Sequence, residues 1–159
     1  MKDLKNAIFH LEKANARLSD ADTAYIKGRW NIANAAFDLA MCSEHGLKAY
    51  LYYSGVEPSG THSHKLLILE AGKAKIPIPK YIRSYADVLY DFEKCTRYDA
   101  DYDVDATEYE EVRDACNKFL LVLNSTIKVE AISRLRELLP PSKSDISDDD
   151  LLFKYWREL

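Results

Sequence analysis

Residues 37–53 read FDLAMCSEHGLKAYLYY. Apolar residues recur at helical spacing, and Ala33, Phe37, Ala40, Leu47 and Leu51 share one face with Glu44. A carboxylate therefore stands in an otherwise apolar stripe. Burying an unpaired charge is expensive, so Glu44 requires a cation or hydrogen-bond donors. Lys48, one turn further on, can supply one. Arg97 or a histidine from another helix can supply another. Two readings stay open: a helix-surface ion pair at the edge of the core, or a functional polar cluster.

Working outward, the same period runs through most of the chain. A first helix is expected from about residue 3 to 26, with Leu4, Ile8, Leu11, Ala14 and Leu18 inward, and Gly28 interrupts it. The second runs from about Trp30 to Tyr53 and is ended by Ser54-Gly55 and then Pro58. Thr61 and Ser63 are N-cap candidates for a third, HKLLILEAGKAK, which stops before Pro77 and Pro79. A fourth is expected from about Lys80 to Thr96, burying Ile82, Tyr85, Leu89 and Phe92. The fifth starts near Thr107, carries Val112, Cys116, Phe119, Leu123 and Ile127, and extends toward Leu139. Pro140-Pro141 ends it, because proline cannot donate into a helix. Ser147 then caps a short sixth helix, with Leu151, Leu152, Tyr155, Trp156 and Leu159 on its apolar face. The expectation is an all-α, up-and-down bundle of about five helices over residues 1–139. A linker and an amphipathic helix follow over 140–159.

Composition agrees with this. The 159 residues are 47% hydrophobic and 30% charged, with only 5 Gly and 5 Pro, which disfavours disorder and turn-rich β folds. No apolar run nears the ~20 residues of a membrane helix, and the N-terminus mixes charges unlike a signal peptide. Cys42, Cys95 and Cys116 are odd in number and lack zinc spacing, which suggests reduced thiols in a cytoplasmic protein. The net charge of -4 hides an asymmetry. Residues 62–83 hold five Lys/Arg and one Glu, while residues 99–114 hold eight acids and one Arg. Such a surface suits pairing with a second copy or an oppositely charged partner.

The acidic run CTRYDADYDVDATEYE, residues 95–110, has partial calcium-loop spacing: Asp99, Asp101 and Asp103, then Thr107 and Glu110. Its sixth position is Val104, where the loop's sharp turn demands glycine, so a solvated connection between helices is the better reading. His62 and His64 point in different directions on a helix, so one is read as a capping or cluster residue and the other as exposed. His10 and His45 receive no role. No phosphate loop, nucleophile elbow or zinc-protease motif is present, and no cofactor is expected.

Three segments together resemble the HEPN domain family (higher eukaryotes and prokaryotes nucleotide-binding). GRWNIANAAFDLAMCSEHGLKAYL is similar to its long second helix, with Glu44 and Lys48-Ala49-Tyr50-Leu51 matching the end. THSHKLLIL is similar to the next segment; Ser63-His64-Lys65-Leu66 fits best, and Thr61-His62 is the rival register. YADVLYDFEKCTRYDADY is similar to the helix that ends in Arg-Tyr, here Arg97-Tyr98. The resemblance implies a homodimer with the Arg-bearing helix ends lining a shared cleft. It also implies ribonuclease chemistry through an Arg followed after four to six residues by a His. Here those positions hold Tyr102, Asp103 and Val104, and the histidine is missing.

A non-catalytic protein is then expected, binding a nucleotide, RNA or a minimal nucleotidyltransferase partner in a toxin–antitoxin-like pair. Its site would comprise Glu44, Lys48, His64, Arg97 and Tyr98. One alternative is a degenerate, metal-independent ribonuclease using Arg97 with Asp101 or Tyr102. The other is a plain interaction module that docks through its C-terminal helix.

Overall fold

The computed structural model describes residues 1–28, 31–99 and 101–159. Its long helices are α1 (Leu4–Ile26), α2 (Ile32–Tyr53), α3 (His64–Lys73), α5 (Ala86–Tyr98), α6 (Ala106–Leu123) and α7 (Val129–Leu138). The short α4 (Lys80–Arg83) precedes α5, and α8 (Asp148–Tyr155) closes the chain. Among the described residues there is no strand, and no helix is long and apolar enough to cross a membrane. The expected start of the second helix at Trp30 lies outside the described residues.

α2 is the central element, touching α1, α3, α5 and α6. It is buried on more than one stripe, with Ala35, Ala36, Leu39, Cys42 and Ala49 inaccessible alongside Ala40, Leu47 and Leu51. Its small residues allow close neighbours. A Cβ on Gly46 would meet Phe119 of α6 at 3.3 Å, so α6 crosses there at near-contact distance. α1 runs antiparallel to α2. Asp3 N–H donates to the Tyr52 carbonyl at 3.0 Å, His10 meets His45, and Arg17 pairs with Asp38 at 2.8 Å. The α2 terminus closes as a Schellman turn, with Val56 N–H on the Leu51 carbonyl and Gly55 N–H on that of Tyr52. Gly55 at φ +83° suits the left-handed position this turn needs.

Two expectations change in detail. The fourth helix is broken: α4 ends at Arg83, Tyr85 N–H bonds to the Ile82 carbonyl, and α5 restarts at Ala86. The break lets Ile82 and Leu89 both enter the core. The fifth helix passes through a π-helical turn at Asn124–Lys128 before continuing as α7. Asn124 exchanges two amide hydrogen bonds with Asn15 of α1 there, at 2.9 and 3.0 Å. The C-terminal segment folds back, with Leu151 and Leu152 joining the same core. Ser147 caps α8 through Asp150 N–H, and Arg136 donates to the Ser144 and Ile146 carbonyls.

His10 and His45 meet on the α1–α2 seam, their Nδ1 atoms 2.9 Å apart, with Tyr52 stacked on His10. Each ring's pKa is pulled down to about 4, chiefly by burial. For His10 the neighbouring His45, Lys48 and Lys13 add to this, and for His45 Lys13 and Lys48 add while Glu44 opposes. Both rings are therefore neutral at pH 7, one donating to the other. The folded pKa values lie below the unfolded value near 6.5, so the unfolded chain binds more protons in that window. Their contribution is intact above about pH 6.5 and is lost as pH falls toward 4. Denaturant midpoints measured across that range should fall in the wild type and fall less steeply in His45→Gln.

Candidate functional site

Glu44 is 1% exposed, so its charge must be answered inside the protein. Nζ of Lys48, itself buried, donates to Oε1 at 2.7 Å, as the i, i+4 spacing requires. The second partner is His62, from the segment between α2 and α3, with Nδ1 at 3.0 and 3.1 Å from the two carboxylate oxygens. Burial works against the Glu44 charge, but the Lys48 and His62 bonds overcome it and hold the carboxyl below its ordinary pKa.

The two histidines at the entry to α3 have opposite environments. Ser63 caps the helix, accepting from Leu66 N–H. His64 follows at the first helical position, 1% exposed, with Nε2 donating to the Ala40 carbonyl at 3.1 Å. Its Nδ1 has no hydrogen-bond partner among the described residues, and burial lowers its pKa despite the Ala40 bond and the charges of Glu44 and Glu93. The His62 side chain is 68% exposed. With Nδ1 donating to a carboxylate, its Nε2 is the nitrogen left for a ligand. The structure thus places His62, not His64, as the accessible imidazole beside Glu44.

Arg97 lies in the last turn of α5, exposed, with its guanidinium 5.0 Å from the Phe37 ring centroid and 5.4 Å from that of Tyr98. No hydrogen bond joins it to Glu44. One turn earlier, Glu93 is buried and its Oε1 meets Nζ of the exposed Lys94 at 3.1 Å. Phe37, Ala40 and Glu44 form one stripe of α2, so Arg97 and His62 flank positions about 10 Å apart along that helix. Glu44, Lys48 and His62 are in direct contact, His64 is wired to the same stripe, and Arg97 stands two turns away.

Among the described residues, neither Asp101 nor Tyr102, the alternative catalytic positions, makes a hydrogen bond, ion pair or ring contact with Arg97. Asp101 is exposed and its N–H bonds to Asp99. Tyr102 is half-buried against the core, its pKa pushed up to about 12 by burial and the charge of Asp91. Val104 is 6% exposed and not left-handed, and Asp105 caps α6 by accepting from Glu108 N–H at 2.8 Å. This loop anchors helices. Among the described residues no cluster of three or more His, Cys, Asp or Glu side chains could hold a metal.

His62 was legible only as the less favoured of two registers. The signal that distinguishes it is the buried carboxylate, which needs a donor carried by a segment able to reach it.

The described residues form an all-α bundle built round one central helix, with a buried Glu–Lys pair and an arginine at a helix end. The model of the HEPN domain matches residues 7–128, and the chain belongs to that family. No curated protein and no solved structure matches it.

Glu44→Ala should strand the Lys48 ammonium and destabilise the fold by about 3–5 kcal/mol, against about 1 kcal/mol or less for an exposed pair. Denaturant melts of the single mutant check this; a near-zero change would contradict the burial of the pair.

Proposed function

We propose that this HEPN domain binds a nucleotide or RNA through a phosphate held by Arg97. The observation that carries the reading is the exposed guanidinium lying over the Phe37 and Tyr98 rings at the end of α5. Arginine stays charged at any ordinary pH and binds phosphate oxygens bidentately. The Lys/Arg-rich run over residues 62–83 adds attraction, and the acidic residues 99–105 oppose it and keep binding weak. The motif histidine that would follow Arg97 is absent, so the Arg97-Tyr98 end by itself binds and does not cleave. A minimal nucleotidyltransferase is the partner class that the family resemblance suggests for such a binding surface.

Titration of a labelled short single-stranded RNA should show binding that weakens with added salt. Arg97→Ala should abolish it, and Arg97→Lys should restore only part. Binding indifferent to Arg97 would contradict the reading.

The active form in this reading is a homodimer whose α5 ends share one cleft. Leu66 and Leu69 on α3 and Tyr90 and Tyr98 on α5 are exposed apolar surface that a two-fold pair would cover. Sedimentation at micromolar protein and physiological salt should give a dimer; a monomer would count against the shared cleft.

A further inference from the structure

Two residues at the end of α3 break local rules that the rest of the bundle keeps. Among the described residues, Lys75 alone combines a side chain with a positive φ, +59°. Its N–H bonds to the Gly72 carbonyl and Ile76 N–H to that of Ala71, the Schellman pattern that Gly55 completes at the end of α2. A side chain is strained in that position, and glycine would relieve it. Gly72 has the opposite character. Its φ is not positive and a Cβ there would meet nothing within 4 Å, so the fold does not need glycine. Gly72 lines a groove of about 500 Å³ floored by Ile68, Leu69, Ile76, Pro77 and Ile78, and Lys75 adjoins Ile76 in the chain. The folding of α3 explains neither residue. A ligand in the groove explains both, because Gly72 keeps the opening clear and Lys75 sets a cation beside it.

We propose that this groove binds an acidic, amphipathic peptide segment of a partner protein, with its apolar side chains on the floor and its carboxylates on the surrounding cations. Charge complementarity selects that occupant. Lys65 and Arg83 line the groove, and the exposed Lys73, Lys75 and Lys80 lie within two residues of lining ones. The nearby acid Glu70 accepts from Ser59 N–H at 3.2 Å, and Asp87 pairs with Lys65. Among the described residues no ion pair holds Lys73, Lys75, Lys80 or Arg83. Lys65 and Lys73 are about 12 Å apart along α3, farther than one carboxylate reaches, so the match is a segment carrying several acids. A nucleic-acid strand suits the cations but not the floor, which offers no ring on which a base could stack. The groove is separate from phosphate binding at Arg97, and the proposal does not rest on that reading. Leu69 also belongs to the face offered for two-fold pairing, so the test leaves Leu66 and Leu69 unchanged.

The experiment titrates the full chain with a fluorescent peptide of about three helical turns, with leucine at every third or fourth position and glutamate between. The controls are the same peptide with serine for leucine and with lysine for glutamate, a single-stranded RNA, and vesicles containing phosphatidylserine. Amide NMR shifts locate each site. The acidic peptide should bind, weaken with salt, and shift Ile68, Gly72 and Ile78 most; either control peptide should bind about tenfold more weakly or worse. Gly72→Gln, which fills the open space, should abolish peptide binding without lowering the thermal midpoint or the RNA affinity. Lys75→Gly should weaken the peptide about threefold while the thermal midpoint holds or rises, since the left-handed position is relieved. No binding of the acidic peptide, equal binding of its serine version, or binding unmoved by Gly72→Gln would overturn the proposal. Shifts at the same residues from RNA or vesicles but not from the peptide would overturn it too, and would assign the groove to a nucleic acid or a lipid surface.

Discussion

One buried carboxylate constrains this molecule more than any other group. Glu44 sits at 1% exposure on the central helix, where an unanswered charge would cost several kcal/mol. Two donors from different distances in sequence satisfy it: Lys48 one turn away and His62 across the α2–α3 connection. The second donor ties the start of α3 to α2. His64, two residues on, adds its bond to the Ala40 carbonyl on the same stripe. The polar cluster is thus part of how α3 docks, and its accessible edge is the His62 ring.

The rest of the bundle follows from how thoroughly α2 is enclosed. Alanines, Gly46 and Cys42 let α1 and α6 approach closely, while Leu39, Leu47 and Leu51 fill the gaps between them. Cys42 and Cys116 face each other across α2 and α6. The neighbouring Cys116 thiol, together with burial, pushes the Cys42 thiol pKa well up, so it behaves as a packing residue. Leu67 and Ala71 of α3, and Leu89 and Phe92 of α5, add to the same core. Arg97 extends beyond that core and can therefore meet solvent while resting on Phe37.

Helix positions were legible because period and punctuation agreed. The inward residues expected for α1, α6 and α8 are buried or packed on the core, and Ser63 and Ser147 cap as their types suggest. The break at Ser84-Tyr85 was not legible, since no Gly or Pro marks it and the apolar spacing of Ile82, Leu89 and Phe92 tolerates either geometry. The π turn was hidden for a similar reason, because an extra residue in a helix changes the face but not the local propensity. At the site, the sequence identified the need of Glu44 for partners and the i+4 lysine. It favoured His64 over His62, whereas the ring on Glu44 is that of His62, because the contact depends on how the irregular segment after Pro58 returns to α2. The seat of Arg97 on Phe37 required the pairing of α5 with α2, which no local pattern encodes.

The contact on which the polar cluster depends is that of Glu44 with the His62 ring. Long-range nitrogen–proton NMR correlation spectra of the intact protein, recorded at a pH where the ring is neutral, report which ring nitrogen carries the proton. A proton on Nδ1 of His62, with the hydrogen bond visible as slowed exchange, is the predicted result. A proton on Nε2, exchanging freely with water, would contradict it, because Glu44 would then lack its second donor and His62 its orientation.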